Sequence, residues 1–383
     1  MSWPLVKLGD YIKPVTGKTP STSNPDYFNG DLLWVTPGDF KAKLITTSAR
    51  TLSKKAVDEN KCNLLPKNSV IVSCIGDIGK AGILPNGGTT NQQITALIPN
   101  DDLNADYLYY CILDKKRELS NLANNAVVPI LNNARLKTLE IPLPPLPIQK
   151  QIADTLDKAD ALRRKDQLLL QKYDELAQSI FYEMFGDPVK NEKGWPILKL
   201  SEVSNKITDG THLSPKFLPS GIPFLFVSNI RNNKICYDTD TFISNEEFEV
   251  LVKRTPIEVG NILLTTVGSY GNPAIIEKTD KFAFQRHIAF IRPNHNLINY
   301  RFLFGIFKSQ FVQNQIERKV RGVAQKTLNL LDLKEIEILL PPMELQNKYA
   351  ETILIMEKLK LKMEQSISEA DSLFSSLIQT SFA

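Results

Sequence analysis

Three short stretches of this chain carry side chains suited to a polar, anionic ligand. Thr16-Gly17-Lys18-Thr19-Pro20 gathers a glycine, two hydroxyls and an ammonium into one turn, where backbone can approach a phosphate closely. Asn91-Gln92-Gln93 and Gln285-Arg286-His287 stand at related places just before a strand-like run. Carboxamides and guanidinium groups can hydrogen-bond in pairs to adenine and guanine edges, so both triplets suit base reading. Arg318, Lys319, Arg321, Gln325 and Lys326 form a basic run before Leu328, whereas the corresponding stretch from Asn124 carries Arg135 as its one cation. Thr211, His212, Asn229 and Arg231 complete the candidate set. Each stretch has a plainer reading as a turn, a polar strand start or a solvated face, so the elements around it must decide.

Other chemistries find little footing. Cys62, Cys74, Cys111 and Cys236 stand far apart, so no paired-thiol zinc or redox pattern exists. The three histidines, His212, His287 and His295, do not make a multi-histidine metal site. Asn24-Pro25-Asp26-Tyr27 lacks the second proline of the adenine-methyltransferase tetrapeptide, and no glycine-rich cofactor loop precedes it. Gly76-Asp77-Ile78-Gly79-Lys80 lacks P-loop spacing. Ser73 lacks the glycines of a nucleophile elbow. No catalytic set can be argued from spacing. The N-terminus carries no secretory pattern and no long apolar run occurs, so a reducing cytoplasm is the expected setting.

The elements that must position the candidates come into view through an internal repeat. The chain has 383 residues, 42% hydrophobic and 23% charged, with a net charge of +4, which describes a globular protein of two or three domains. Trp3-Pro4-Leu5-Val6-Lys7-Leu8 returns as Trp195-Pro196-Ile197-Leu198-Lys199-Leu200, and Ile75-Gly76-Asp77-Ile78-Gly79 as Val267-Gly268-Ser269-Tyr270-Gly271. Pro144-Pro145 with Gln149 returns as Pro341-Pro342 with Gln346. Each copy begins with a mixed segment, in which 69–73 and 93–98 read as strands and 106–113 as a helix. Each ends in one long helix, 146–184 and 343–381, after a Pro-Pro pair that fits just ahead of a helix.

The long helices carry stripes close to a heptad rhythm. The first runs through Ile152, Leu156, Leu162, Leu169, Tyr173, Leu176 and Ile180, with Asp166 in one slot. The second runs through Tyr349, Ile353, Met356, Met363, Ile367, Phe374 and Leu377. Charges such as Arg163 are expected off the stripe. The stripes are each other's natural partners, and a helix of this length spans roughly 57 Å. An antiparallel pairing is expected, because a parallel one would need a long return connection. The expected class is therefore α+β: two pseudo-twofold-related mixed α/β domains separated by two long antiparallel coiled-coil helices. The expected boundaries are 1–143, 144–187, 188–340 and 341–383. Two unlike heads at fixed separation suit an extended duplex with two half-sites.

Ile141-Pro142-Leu143-Pro144-Pro145-Leu146-Pro147-Ile148-Gln149 and its second copy, Ile338 to Gln346, carry a resemblance to a known family, as do the Trp-Pro openings and Met184-Phe185-Gly186-Asp187-Pro188. The chain resembles the specificity subunit of type I restriction–modification enzymes over essentially its whole length. The resemblance implies that each mixed domain is a target recognition domain reading one half of a bipartite site in double-stranded DNA. It implies that the helices set the spacer and dock two modification subunits. Those subunits would bring S-adenosylmethionine, and restriction subunits would bring ATP and Mg. The chain itself is then expected to be non-catalytic. A protein-binding adaptor and a self-contained methyltransferase are the rival readings. The second copy departs from the pattern at Ile338-Leu339-Leu340 and lacks Gly-x-Thr-Pro after Thr208, which weakens transfer to Asp209-Gly210-Thr211.

Overall fold

The computed structural model describes residues 3–124, 128–322 and 326–382. It divides into two compact units, Met1–Leu168 with Gln365–Ala383, and Leu169–Glu364. Each unit is built on a buried apolar strand flanked by antiparallel partners.

In the first unit the strands Ile12–Thr16, Ile94–Pro99, Ser69–Ser73 and Ala81–Leu84 lie side by side in that order. Ser69–Ser73 is buried along its whole length. That explains its continuous β-branched run, since neither face meets water. A second sheet places Thr51–Leu52, Phe28–Val35 and Thr89–Thr90 together. Leu5–Lys7 pairs with Glu140–Pro142, tying the start of the mixed segment to the approach of the long helix. The helix Ala105–Asp114 is capped by the Asn104 side chain, which accepts from Tyr107 N at 2.9 Å. The two strands and the helix expected from the sequence are therefore present, within a residue or two at each end.

The second unit repeats this plan. Ser204–Asp209, Ile288–Pro293, Ile262–Thr265 and Pro273–Ile275 form its four-stranded sheet. Phe242–Ile243, Ile222–Leu225 and Ala283–Phe284 form its three-stranded one. Ile197–Lys199 pairs with Glu337–Leu339. An extra hairpin, Ile230–Arg231 with Lys234–Ile235, lies beside them.

The long helices run Leu146–Phe185 and Met343–Phe382, 40 residues each. Among the described residues, no helix is long and apolar enough to cross a membrane. Within the first unit the two helices run antiparallel. Arg163 meets Asp371 at 3.4 Å, and three residues on, Asp166 accepts from Ser366 at 3.3 Å, so one number rises as the other falls. Leu156, Phe374 and Phe382 are buried in the first core, with Ile152 and Leu377 packed against it. Tyr349, Ile353 and Met356 are buried in the second core, with Tyr173 and Ile180 against it. Leu169, Met363 and Ile367 are half-buried.

Two stripe positions are corrected. Leu162 and Leu176 are 55% and 49% exposed. The first helix keeps its regular phase from Leu156 to Asp160 and Arg163, so the seam passes Leu162 by. Arg163, expected outside, occupies the seam instead. Its guanidinium pairs with Asp160 at 2.8 Å and lies 4.7 Å from the Phe374 ring. An arginine can do this because its planar group pairs with carboxylates while stacking on an aromatic face. Phe181 and Phe185, absent from the expected stripe, are buried against Phe302 and Tyr349.

Candidate nucleic-acid interface

In the first unit the turn after Ile12–Thr16 is clamped to the segment before Ile94. Gly17 N donates to Ile94 O and Lys18 N to Thr90 O, both at 3.0 Å. The approach is so close that a Cβ on Gly17 would lie 2.2 Å from the Asn91 carbonyl oxygen. Only glycine fits, and the clamp places Lys18 and Thr19 beside Asn91-Gln92-Gln93. The Thr19 hydroxyl donates to Gln92 Oε1. Gln92 is exposed, and its amide nitrogen has no protein partner among the described residues. Asn91 is buried, and its amide donates to Gln93 Oε1 at 3.0 Å. Asn133, which sequence reasoning passed over, donates to Thr16 Oγ1 at 3.0 Å. The Trp34 indole donates to Lys18 O at 3.3 Å.

The second unit builds the same clamp from different residues. Gly210 N donates to Ile288 O at 3.2 Å and Thr211 N to Phe284 O at 3.0 Å. A Cβ on Gly210 would lie 2.1 Å from Phe284 O. Asp209-Gly210-Thr211 therefore occupies the place of Thr16-Gly17-Lys18, despite the missing Gly-x-Thr-Pro. The shared requirement is one glycine at the crossing, which a four-residue motif obscures. Arg286 N donates to Thr211 O at 3.0 Å, bringing Gln285-Arg286-His287 against Thr211 and His212. Arg286 is exposed, as Gln92 is, and its Nε donates to His287 Nε2 at 3.3 Å. Burial, then the nearby Arg286 and His212, hold the His287 imidazole below its ordinary pKa.

Behind this loop, His212 Nε2 meets Asp209 Oδ2 at 2.8 Å, and Arg254 reaches both the Asp209 carboxylate and its carbonyl oxygen. Arg254 gave no signal in the sequence, since its partner lies 45 positions away. A pocket of about 230 Å³ opens here, lined by residues that include His212, Leu213, Val250, Arg254 and Phe284.

The remaining candidates are not in these clusters. Arg135 donates to Leu122 O at 3.0 Å. Asn229 is buried and its amide is spent on Cys236 O and Asp238 O at 3.0 and 3.1 Å, so it shapes its own loop and is not free to read bases. Arg231 donates to Cys236 Sγ at 3.3 Å. Lys326 is paired with Glu317 at 2.9 Å and bonded to Tyr270. Arg321 stays largely exposed beside Asp332 at 3.5 Å. Gln325 lies outside the described residues.

The scaffold is duplicated, with one glycine clamp per copy, each beside a different polar triplet. The family model described as type I restriction modification DNA specificity domain matches residues 2–175 and again 192–370. The chain belongs to this family, that of the type I restriction–modification specificity subunits. It is 27% identical to the type I restriction enzyme MjaIX specificity subunit of Methanocaldococcus jannaschii, across 91% of this chain and 85% of that one. It is 25% identical to the MjaVIII specificity subunit of the same organism, across 99% and 92%. Its fold matches the type I restriction–modification S subunit from M. genitalium with a TM-score of 0.61, at 16% identity over 100% of this chain and 96% of that one. A chain from a structure concerned with assembly and conformational transition of the type I system matches with a TM-score of 0.62, at 16% identity over 100% and 97%.

Proposed function

We propose that this chain is the non-catalytic DNA-recognition subunit of a type I restriction–modification complex. Each mixed domain reads one half of an asymmetric two-part site in double-stranded DNA. The long helices set the gap and dock two modification subunits. S-adenosylmethionine belongs to those partners, and ATP and Mg to restriction subunits where these join.

The observation that carries this reading is the pair of clamps. The two backbone bonds made by Gly17 and Lys18 in one unit are matched by those of Gly210 and Thr211 in the other, while the exposed side chains differ, Gln92 in one unit and Arg286 in the other. A shared glycine crossing with different donors is what two unlike half-sites require. A carboxamide suits adenine and a guanidinium suits guanine. The carried positive charge is small, so the partner subunits supply much of the phosphate attraction.

Methylome sequencing of cells that carry the complete complex tests the proposal. The expected target is two unlike short sequences separated by a fixed gap. Exchanging residues 1–143 for those of a relative should change one half alone. A continuous palindrome, or a change in both halves, would overturn the reading.

A further inference from the structure

We propose that His287 is a positioning residue, whose neutral imidazole holds the Arg286 guanidinium in its reading orientation and whose protonation releases it. The inference rests on the proposal that Arg286 reads DNA, and adds a proton-controlled support to that site.

Arg286 projects to solvent, and no carboxylate among the described residues pairs with it. Its side chain is fixed by one bond, from its Nε to His287 Nε2 at 3.3 Å. An arginine Nε–H only donates, so His287 Nε2 must offer a lone pair. The imidazole is therefore neutral, with its proton on Nδ1. The backbone that carries the ring is tethered, because the His287 carbonyl oxygen accepts from both Thr266 N and Thr266 Oγ1 at 2.9 Å. The ionisable groups facing the ring are Arg286 and His212, with Asp209 and Arg254 behind His212. A protonated ring would turn the accepting nitrogen into a donor and set a cation against the guanidinium. The orienting bond would be lost and the two groups would repel.

The first unit holds the corresponding side chain differently. Gln92 is fixed by the Thr19 hydroxyl, and Gln93 stands where His287 stands. Neither of these titrates near neutrality, and all three histidines of the chain lie beyond residue 211. Recognition by the two heads should therefore respond differently to acid.

The test uses the full chain assembled with its modification subunits and a labelled duplex bearing the site found by methylome sequencing. Two control duplexes carry a scrambled first or second half. Binding is followed by fluorescence anisotropy from about pH 7.5 to about pH 4.5, which covers the ordinary imidazole value of roughly 6.5 and the range below it where His287 is held. Discrimination against the scrambled second half should fall by roughly tenfold on acidification, as loss of a bidentate contact implies. Discrimination against the scrambled first half should not change. His287→Gln keeps an acceptor that does not titrate, so it should retain discrimination and flatten the pH profile. Arg286→Ala should lose second-half discrimination at every pH. If Arg286→Ala loses it while the wild-type profile is flat, or His287→Gln keeps the wild-type acid loss, the role of His287 is overturned and the base-reading role stands. If Arg286→Ala binds like wild type, the base-reading role itself fails.

Discussion

The Gln149 carboxamide oxygen accepts a 2.8 Å hydrogen bond from the backbone N–H of Asn104, the residue that caps the helix Ala105–Asp114. Its amide donates back to Asp102 O at 3.0 Å and Pro144 O at 2.8 Å. One buried side chain thus joins the start of the long helix to the start of a core helix. Gln346 does the same in the second unit, accepting from Asn299 N at 2.8 Å and donating to Leu297 O and Pro341 O. The glutamine in the repeated Pro-Pro motif is therefore a joint between helix and mixed domain.

Replacing Gln149 by leucine leaves Asn104 N, Asp102 O and Pro144 O without their partner. Each buried polar group left unsatisfied costs about 1–3 kcal/mol. Chemical denaturation of Gln149→Leu should show a loss of that order or more. Gln346→Leu should behave alike, and hydrogen exchange should rise first at residues 104–108 and 299–303 respectively.

The glycine clamps predict a functional loss with the fold kept. Gly17→Ala and Gly210→Ala each drive a methyl group into a carbonyl oxygen, at a cost of about 1–3 kcal/mol. Circular dichroism should remain that of the wild type. Binding assays with half-scrambled duplexes should show Gly17→Ala losing one half of the site and Gly210→Ala losing the other.

The phase of the long-helix seam separates two leucines. Leu156 is fully buried, so Leu156→Ala should cost about 2–5 kcal/mol. Leu162, six residues on, is 55% exposed, and Leu162→Gln should stay within about 0.5 kcal/mol. Melting curves decide between this phase and one that puts Leu162 in the seam.

The four thiols should differ in reactivity. Burial pushes Cys62, Cys74 and Cys111 above the ordinary thiol range, so they stay protonated and shielded. The hydrogen bond from Arg231 pulls Cys236 below it. A lowered pKa means that the thiolate persists to lower pH. Maleimide labelling followed by peptide mapping should mark Cys236 first, with a rate that levels off below the usual thiol pKa of about 8.5. Arg231→Ala should shift that plateau to higher pH.

Much of this molecule was legible in its residues. The repeat exposed the two copies, because both had to rebuild the same core and the same Pro-Pro-to-helix junction. Buried β-branched runs marked the central strands, and the apolar rhythm marked both long helices to within a residue or two. Gly17 and the polar triplets could be singled out because few residue types tolerate such turns or read base edges. What the sequence could not decide were relations between distant positions. Whether Leu162 or Arg163 enters the seam depends on helix phase and on where Asp371 and Phe374 stand across it. That Gly210 matches Gly17 emerges from which carbonyl each one crosses, since backbone contact leaves no trace in the flanking side chains. Asn229 and Arg231 looked like readers until their loop partners appeared, and Arg254 was invisible until folding set it against Asp209. Local propensity and hydrophobic pattern act along the chain, whereas hydrogen bonds and charge pairs are settled only when the folded backbone brings remote groups together.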